Sequence, residues 1–192
     1  MTVRPAELLE QSAHATARER VLISAWRGGD ADMPDSPDRI AALRDATRAL
    51  RSIGAPHALI GGLAVGIHSG VPRATLDIDV AVASATDRAR IIECLDRAGF
   101  RKTGEFPHSV NFRHASGEPV QLAFDSAFDV MIQRAEAFDV AGVSIPIVRK
   151  DDLIAMKERS AADPHRRRSK ALRDQADLAL LRGDVPDPDE GW

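Results

Sequence analysis

Two aspartates two positions apart, Asp77 and Asp79, are the residues of this sequence best suited to hold a metal ion. In an extended strand, residues two apart point to the same side at a separation of roughly 6.5 Å, so both carboxylates share one face. Leu76, Ile78 and Val80 would then be buried on the other face. A hard divalent ion such as Mg²⁺ relieves the repulsion between two close carboxylates and keeps coordination sites for phosphate oxygens. The alternative is an exposed edge-strand face or two helix-capping aspartates.

Gly61 and Gly62 form a turn between an apolar segment at 57–60 and a second apolar segment at 63–67. This order predicts a strand, a glycine turn and a short helix. Backbone N–H groups at such a turn can approach a phosphate closely, and the helix dipole favours negative charge there. The alternative interpretation, close packing of the helix on the sheet, is compatible with phosphate binding.

The hydrophobic pattern predicts the elements that must position these residues. It indicates helices at 5–26, 39–53, 86–98, 128–137, 151–160 and 167–182, and strands at 57–60, 76–82, 110–114, 120–124 and 143–148. A loop at 27–38 should end in a helix cap near Ser36 or Asp38. We therefore expect an α+β (mixed α/β) fold, with a small mixed sheet flanked by helices and with extra helices at both ends.

The composition is that of a globular domain, with 192 residues of which 44% are hydrophobic and 29% charged. The net charge of −3 gives no global attraction to nucleic acid or membranes, although residues 166–173 form a basic segment. Cys94 is the single cysteine, which excludes an internal disulfide and a cysteine-based zinc site. No apolar segment is long enough for a membrane span, so the sequence predicts a cytoplasmic protein without a membrane partner.

Four segments in order carry a resemblance to a known fold: HALIGGLAV at 57–65, RATLDID at 73–79, DLIAMK at 152–157 and RDQAD at 173–177. Together they resemble the nucleotidyltransferase fold of the DNA polymerase beta superfamily. Within that superfamily the sequence is most similar to the bacterial abortive-infection, AbiEii-like, toxin-type nucleotidyltransferases. We expect an N-terminal helical extension and loop at 1–38, a nucleotidyltransferase-like domain at 39–182 and an acidic tail at 183–192.

The resemblance implies roles for the two motifs described first. Gly61 and Gly62 match the motif that contacts the nucleotide phosphates. Asp77 and Asp79 match the catalytic carboxylates that hold Mg²⁺. The implied reaction is the transfer of a nucleoside monophosphate from a nucleoside triphosphate to a hydroxyl group on RNA such as tRNA, on a protein or on a small molecule. It also implies a toxin of a toxin–antitoxin or phage-defence system, restrained by a cognate antitoxin.

The resemblance extends to the C-terminal helices. Lys157 matches a catalytic lysine that meets phosphate, and Asp174 matches an acidic residue of the nucleotide site, with Asp177 one turn later on the same face. Arg73 precedes the metal strand, where a fixed guanidinium can clamp phosphate or substrate. The alternatives are a solvated lysine at Lys157 and an i to i+4 pairing of Asp174 with Lys170.

One position departs from the family pattern. Active members usually add a third carboxylate from a later strand, and Gln121 stands at the corresponding position here. A neutral amide takes no proton from an attacking hydroxyl, so a shifted strand would have to bring in Asp125 instead. The alternative function is therefore a degenerate protein that binds a nucleotide or a partner. A third hypothesis, an antibiotic nucleotidyltransferase, requires an acidic pocket, for which Asp125, Asp129 and Asp139 are candidates.

Overall fold

A computed structural model of the chain describes residues 4–26 and 38–185. Seven strands lie in this part of the chain: β1 His57–Ile60, β2 Ile78–Val82, β3 Phe100–Phe106, β4 Ser109–His114, β5 Pro119–Ala123, β6 Glu136–Val140 and β7 Val143–Ile147. The α-helices of the same ranges are α1 Pro5–Trp26, α2 Arg39–Ser52, α3 Gly61–Ser69, α4 Arg88–Arg97, α5 Asp129–Gln133, α6 Lys150–Ala162 and α7 Arg168–Arg182. A 3-10 turn at Ser126–Phe128 precedes α5.

The strands form one mixed sheet in the order β3-β4-β5-β2-β1-β7-β6. The central strand β2 runs antiparallel to β1 and parallel to β5, and β1 runs parallel to β7. The outer strands are added as antiparallel hairpins, β3 with β4 and β6 with β7. This mixed sheet with flanking helices confirms the fold class expected from the sequence.

Helix ends are set by local signals in the sequence. Asp38 caps α2 by accepting a hydrogen bond from the Ala41 N–H, and Asp87 caps α4 by accepting from the N–H groups of Ala89 and Arg90. Gly70 closes α3 in the left-handed conformation, with φ of 74°. The alternative cap at Ser36 lies outside the described residues, as does the loop from 27 to 37.

Helices at both ends of the chain pack on the central part of the fold. Helix α1 contacts α2 and α3, and the hairpin of α6 and α7 also packs against α3. The core is mostly aliphatic, with Leu43, Leu59 and Ile78 fully buried, and it also contains Phe100 and Phe112. None of the helices in the described ranges combines the length and the apolar character of a membrane span. The proposed division of the chain at residues 38 and 182 stays a prediction.

Two edge strands depart from the sequence-based expectations. The sequence pattern did not predict β3. The helix expected at 128–137 is only partly present, because α5 ends at Gln133 and β6 begins at Glu136. The expected strand at 76–82 begins two residues later, at Ile78. Leu76 is therefore 49% exposed and not buried, since it lies in the loop before the sheet.

Candidate active site

A cleft of about 700 Å³ opens where the start of α3, the start of β2, the loop before β2 and the α6–α7 hairpin meet. All seven site residues expected from the sequence line this cleft: Gly61, Gly62, Arg73, Asp77, Asp79, Lys157 and Asp174. They come from five separate parts of the fold and span more than a hundred positions of the chain. Their convergence makes the cleft the candidate active site.

The two aspartates reach the cleft by different routes. Asp79 is the second residue of β2 and is in register with Ile60, the last residue of β1. Asp77 lies in the preceding loop, where the Thr75 hydroxyl is 3.4 Å from its main-chain oxygen and 3.5 Å from its carboxylate. The expectation that both stand on one strand is wrong for Asp77, although both line the same cleft.

The carboxyl group of Asp79 is poorly solvated. Burial raises the pKa of its carboxyl group to about 7, and repulsion by Asp77 acts in the same direction. Lys157 and Lys170 act against this shift by stabilising the charged form. A cation bound by the two aspartates would favour the ionised form of Asp79 and so oppose this shift.

The glycine turn is shaped around Asp79. Gly61 has φ of +70°, and a Cβ atom added to it would collide with the Asp79 carboxylate. A Cβ atom on Gly62 would lie 3.0 Å from the Cβ atom of Thr75. Glycine is therefore required at 61 for both backbone conformation and space, and the buried start of α3 sits directly beside the aspartate pair.

Lys157 is held between two carboxylates of α7. Its ammonium group donates a 2.9 Å hydrogen bond to Asp174 and forms a 2.8 Å ion pair with Asp177. Asp174 is 2% exposed, Asp177 is fully buried and Lys157 is 9% exposed. The alternative of a solvated lysine is therefore wrong, and so is the alternative pairing of Asp174 with Lys170, because Asp174 pairs with Lys157 on α6.

Two arginines complete this ion-pair cluster. Arg73 donates from Nε to Asp177 over 2.5 Å, and Arg166 contacts the second oxygen of Asp174 at 2.7 Å. The cluster of Arg73, Lys157, Arg166, Asp174 and Asp177 therefore joins the loop before β2 to both C-terminal helices. Its three cations exceed its two carboxylates, so it presents net positive charge to the cleft.

Gln121 also lines the cleft, on β5 next to Asp79 on β2. Its side-chain amide donates a 3.1 Å hydrogen bond to Asn111, its register partner on β4. The donor end of the amide is thus turned toward β4. The position expected for a third carboxylate carries a fixed neutral group.

The other aspartates considered from the sequence have structural partners elsewhere. Asp125 caps the 3-10 turn through the Ala127 N–H, and Asp129 accepts hydrogen bonds from the main chain and hydroxyl of Ser84. Asp139 lies 3.3 Å from the Gly142 N–H in the β6–β7 turn. None of the three is among the residues that line the cleft.

Sequence reasoning missed several residues of the cleft. Thr75 belongs to the recognised loop but has no chemical signature of its own. Glu19 comes from α1, which was expected to lie outside the nucleotidyltransferase-like domain, and only the three-dimensional packing of that helix brings it to the cleft. Lys170 and Arg173 stand on α7 one turn apart and belong to the basic segment that the sequence did indicate.

The donor set of the cleft suits one kind of metal. Within residues 4–26 and 38–185, no group of three or more His, Cys, Asp or Glu side chains is arranged to hold a metal ion by itself. Two carboxylates beside the glycine turn match Mg²⁺, which is usually bound by one or two carboxylates together with substrate phosphates and water. The residues present therefore fit Mg²⁺ shared with a nucleotide.

No protein-family model and no curated protein matches the chain. Solved structures do match it. A nucleotidyltransferase-like protein from Paracoccidioides brasiliensis is 21% identical over 80% of each chain, with a TM-score of 0.55. The antibiotic-resistance factor ANT(2'')-Ia is 16% identical over 76% of this chain and 85% of its own, also with a TM-score of 0.55. The lincosamide antibiotic adenylyltransferase LnuA is 14% identical over 72% of this chain and 92% of its own, with a TM-score of 0.51.

Identities this low establish the architecture alone, and the expected AbiEii-like family stays a prediction. The shared architecture agrees with the order of the motifs along the chain and with the position of the cleft. This chain has the fold of nucleotidyltransferase-like proteins.

Proposed function

We propose that the chain is a Mg²⁺-dependent nucleotidyltransferase that moves a nucleoside monophosphate from a nucleoside triphosphate to a hydroxyl acceptor. The observation that carries the proposal is the aspartate pair, Asp77 and Asp79, set against the glycine start of α3 in a cleft that also contains a basic cluster. A triphosphate needs a divalent cation, backbone donors and fixed positive charge at the same place. The cleft provides residues for each.

Asp77 and Asp79 would hold the metal. When bound, Mg²⁺ offsets the charge that develops on the phosphate oxygens and orients the triphosphate. The raised pKa of Asp79 supports this assignment, because a bound cation stabilises the ionised carboxylate that burial disfavours.

The remaining residues position the phosphates. The N–H groups of Gly61 and Gly62 belong to the start of α3, and a helix N-terminus of this kind favours a bound phosphate. Lys157 donates one hydrogen bond to Asp174 and forms an ion pair with Asp177, so its ammonium group, with three donor hydrogens, can also donate to a phosphate oxygen. Asp174 then supports nucleotide binding by fixing Lys157, and Arg73 is fixed in the same way by Asp177.

The reaction would be an in-line displacement at the α-phosphorus. The acceptor oxygen forms a bond to phosphorus as the bond to the β-phosphate oxygen breaks, and pyrophosphate leaves toward the basic cluster. The acceptor proton goes to solvent in this proposal, because the amide of Gln121 does not take it. Catalysis then depends on positioning and charge.

The acceptor we favour is anionic. Lys170 and Arg173 are exposed residues of α7 that line the cleft, and they add positive charge beyond the buried ion pairs. RNA such as tRNA matches this surface better than a cationic sugar, since Asp125, Asp129 and Asp139 lie outside the cleft lining. A protein hydroxyl is the alternative acceptor.

The biological setting follows from the sequence resemblance alone. A toxin of a toxin–antitoxin or phage-defence system, a cognate antitoxin as partner and a cytoplasmic location are what that resemblance and the composition favour. They remain part of the proposal.

Label transfer tests the reaction. Purified chain with Mg²⁺ and each α-labelled ribonucleoside triphosphate is incubated with bulk RNA, with a protein fraction and alone. We expect label on one acceptor class from the unchanged chain and from Asp96→Asn, an exposed α4 control, and none from Asp77→Asn. Transfer that persists in Asp77→Asn would contradict the assignment.

Gln121 favours a second candidate function, a nucleotide-binding module without transfer. A neutral residue fixed by Asn111 is suited to hold a ligand and unsuited to accept a proton. Equilibrium binding of a nucleoside triphosphate, with no label transfer from a folded preparation and transfer gained in Gln121→Asp, would identify this function.

A further inference from the structure

Residues 71–77, between α3 and β2, carry part of the proposed site without regular secondary structure of their own. We call them the metal loop, because Asp77 is a proposed metal ligand and Arg73 and Thr75 line the same cleft. A segment of this kind keeps its conformation only if its backbone groups are bound from outside. For the main chain of residues 73 and 75, these groups come from α1 and α2.

Two hydroxyl residues of α1 hold the main chain of the metal loop. Ser12 donates a 2.5 Å hydrogen bond to the Arg73 carbonyl oxygen. Thr16 lies 3.0 Å from the Thr75 carbonyl oxygen and accepts a 3.1 Å hydrogen bond from the Thr75 N–H. Both hydroxyl residues are 2% exposed, so these contacts are shielded from water.

Arg39, the first residue of α2, joins these contacts into one network. Its guanidinium group donates a 3.0 Å hydrogen bond to the Thr75 carbonyl oxygen and another of 3.0 Å to the Ser12 hydroxyl. It also lies 3.5 Å from the Thr16 hydroxyl. The third direction of the guanidinium is taken by Glu118, whose carboxylate is 2.5 Å from Arg39 Nε.

This ion pair is buried and lies outside the cleft. Arg39 is 3% exposed and Glu118 1%, and neither lines the cleft. Burying such a pair is costly, and replacing it with apolar residues is often neutral or stabilising. Its geometry indicates another purpose, because the guanidinium fork binds the metal loop and α1 at the same time.

We propose that Arg39, fixed by Glu118, is the positioning residue of the metal loop. It holds the Thr75 main chain, and Thr75 in turn contacts Asp77 and packs against Gly62. The effect on Mg²⁺ rests on the proposed function, whereas the effect on the loop does not. Residues that orient metal ligands in this indirect way commonly change metal affinity by about 10-fold to 100-fold when replaced.

The test uses a double variant, Arg39→Met with Glu118→Met, which removes the fork without leaving a buried charge unpaired. Arg39→Lys is the second variant, since an ammonium group keeps the charge but lacks the planar fork. Arg48→Met, which removes an exposed ion pair with Asp45 on the same helix, is the control.

Two quantities are measured on folded full-length chain. We expect amide hydrogen exchange at Thr75 to become about tenfold faster in the double variant and in Arg39→Lys, and Mg²⁺ affinity to fall about tenfold, with Arg48→Met unchanged in both. Unchanged exchange at Thr75 in both Arg39 variants would overturn the proposal, whatever the stability of the variants.

The two proposals fail separately. If the unchanged chain binds no Mg²⁺, the proposed function is wrong, and the exchange rate at Thr75 alone decides the role of Arg39. If exchange rises and Mg²⁺ affinity stays the same in both variants, Arg39 is structural and the proposal is overturned.

Discussion

At the scale of single residues, ionised Asp79 lowers the stability of the folded chain, and the same residue is a proposed metal ligand. Its pKa is raised to about 7 by burial and by Asp77, whereas an aspartate in an unfolded chain titrates near 3.8. The folded metal-free chain therefore holds a proton that the unfolded chain has lost over the range between these values. Stability falls as the pH rises from about 4 through about 7.

This cost makes a prediction for Asp79→Asn. At pH 8 in EDTA the variant should be more stable than the unchanged chain by about 1–3 kcal/mol, because a charged group has been replaced by a neutral one. At pH 5, where the folded chain keeps the Asp79 proton that the unfolded chain has mostly lost, the gain should be smaller, and it should vanish below about pH 4, where both states are protonated. Urea unfolding at both pH values measures the difference. An equal gain at both pH values would show that ionisation of Asp79 is not the cause.

Gly61 provides a second prediction at this scale. Gly61→Ala adds a Cβ atom that collides with the Asp79 carboxylate, in a backbone conformation of φ +70°. Gly54→Ala is the matched control, because Gly54 has φ +68° and an added Cβ atom meets nothing within 4 Å. Both variants pay the backbone cost of about 1–2 kcal/mol. Only Gly61→Ala should also lose Mg²⁺ binding, measured by calorimetry, and Mg²⁺ binding equal to that of the control would contradict the close fit.

Most residues of the site could be predicted because they belong to short motifs. Asp77, Asp79, Gly61 and Gly62 have types and spacing that indicate their chemistry before any fold is known. Glu19 could not be found in this way, because a glutamate on a helix has many ordinary roles. Its place in the cleft depends on how α1 packs.

At the scale of elements, the ion pairs between α6 and α7 determine how the C-terminal hairpin is held. Lys157 shares its charge between Asp174 and Asp177 on the facing helix, all three largely buried. Removing the lysine leaves two buried carboxylates with one arginine each. Removing one partner of a buried ion pair lowers the free energy of unfolding by more than the intact pair contributes, because the remaining charge is poorly solvated.

We therefore expect Lys157→Met to reduce the free energy of unfolding by about 3 kcal/mol. The matched control is Glu158→Gln, which breaks an exposed ion pair with Arg182 between the same two helices. That change should stay within about 0.5 kcal/mol. Urea unfolding of both variants is the measurement, and equal small effects would mean that the Lys157 cluster is hydrated.

The elements that sequence reasoning missed share a physical cause. The strands β3 and β6 form the two edges of the sheet and are mostly exposed, so they lack the alternation of buried and exposed residues that indicates a strand. Polar edge strands protect a sheet from pairing with other chains. The inner strands β1, β5 and β7, in which buried residues recur, were predicted to within a residue of their ends.

At the scale of the whole molecule, the important quantity is where charge lies. The chain has a net charge of −3, but five basic side chains line the cleft: Arg73, Lys157, Arg166, Lys170 and Arg173. Five acidic side chains line it as well, of which Asp174 and Asp177 are paired within the cluster. A metal ion at Asp77 and Asp79 would therefore leave the cleft positive and suited to anions.

This distribution predicts how nucleic acid binds. The double variant Lys170→Glu, Arg173→Glu should weaken binding of a single-stranded RNA at least about tenfold and reduce the slope of log affinity against log salt by about 1.4, the value for two lost phosphate contacts. The control, Arg90→Glu with Arg97→Glu on α4, makes the same change in net charge outside the cleft. Fluorescence anisotropy at several salt concentrations measures both. If the two double variants weaken binding equally, the effect comes from net charge, and the cleft is not the surface that meets RNA.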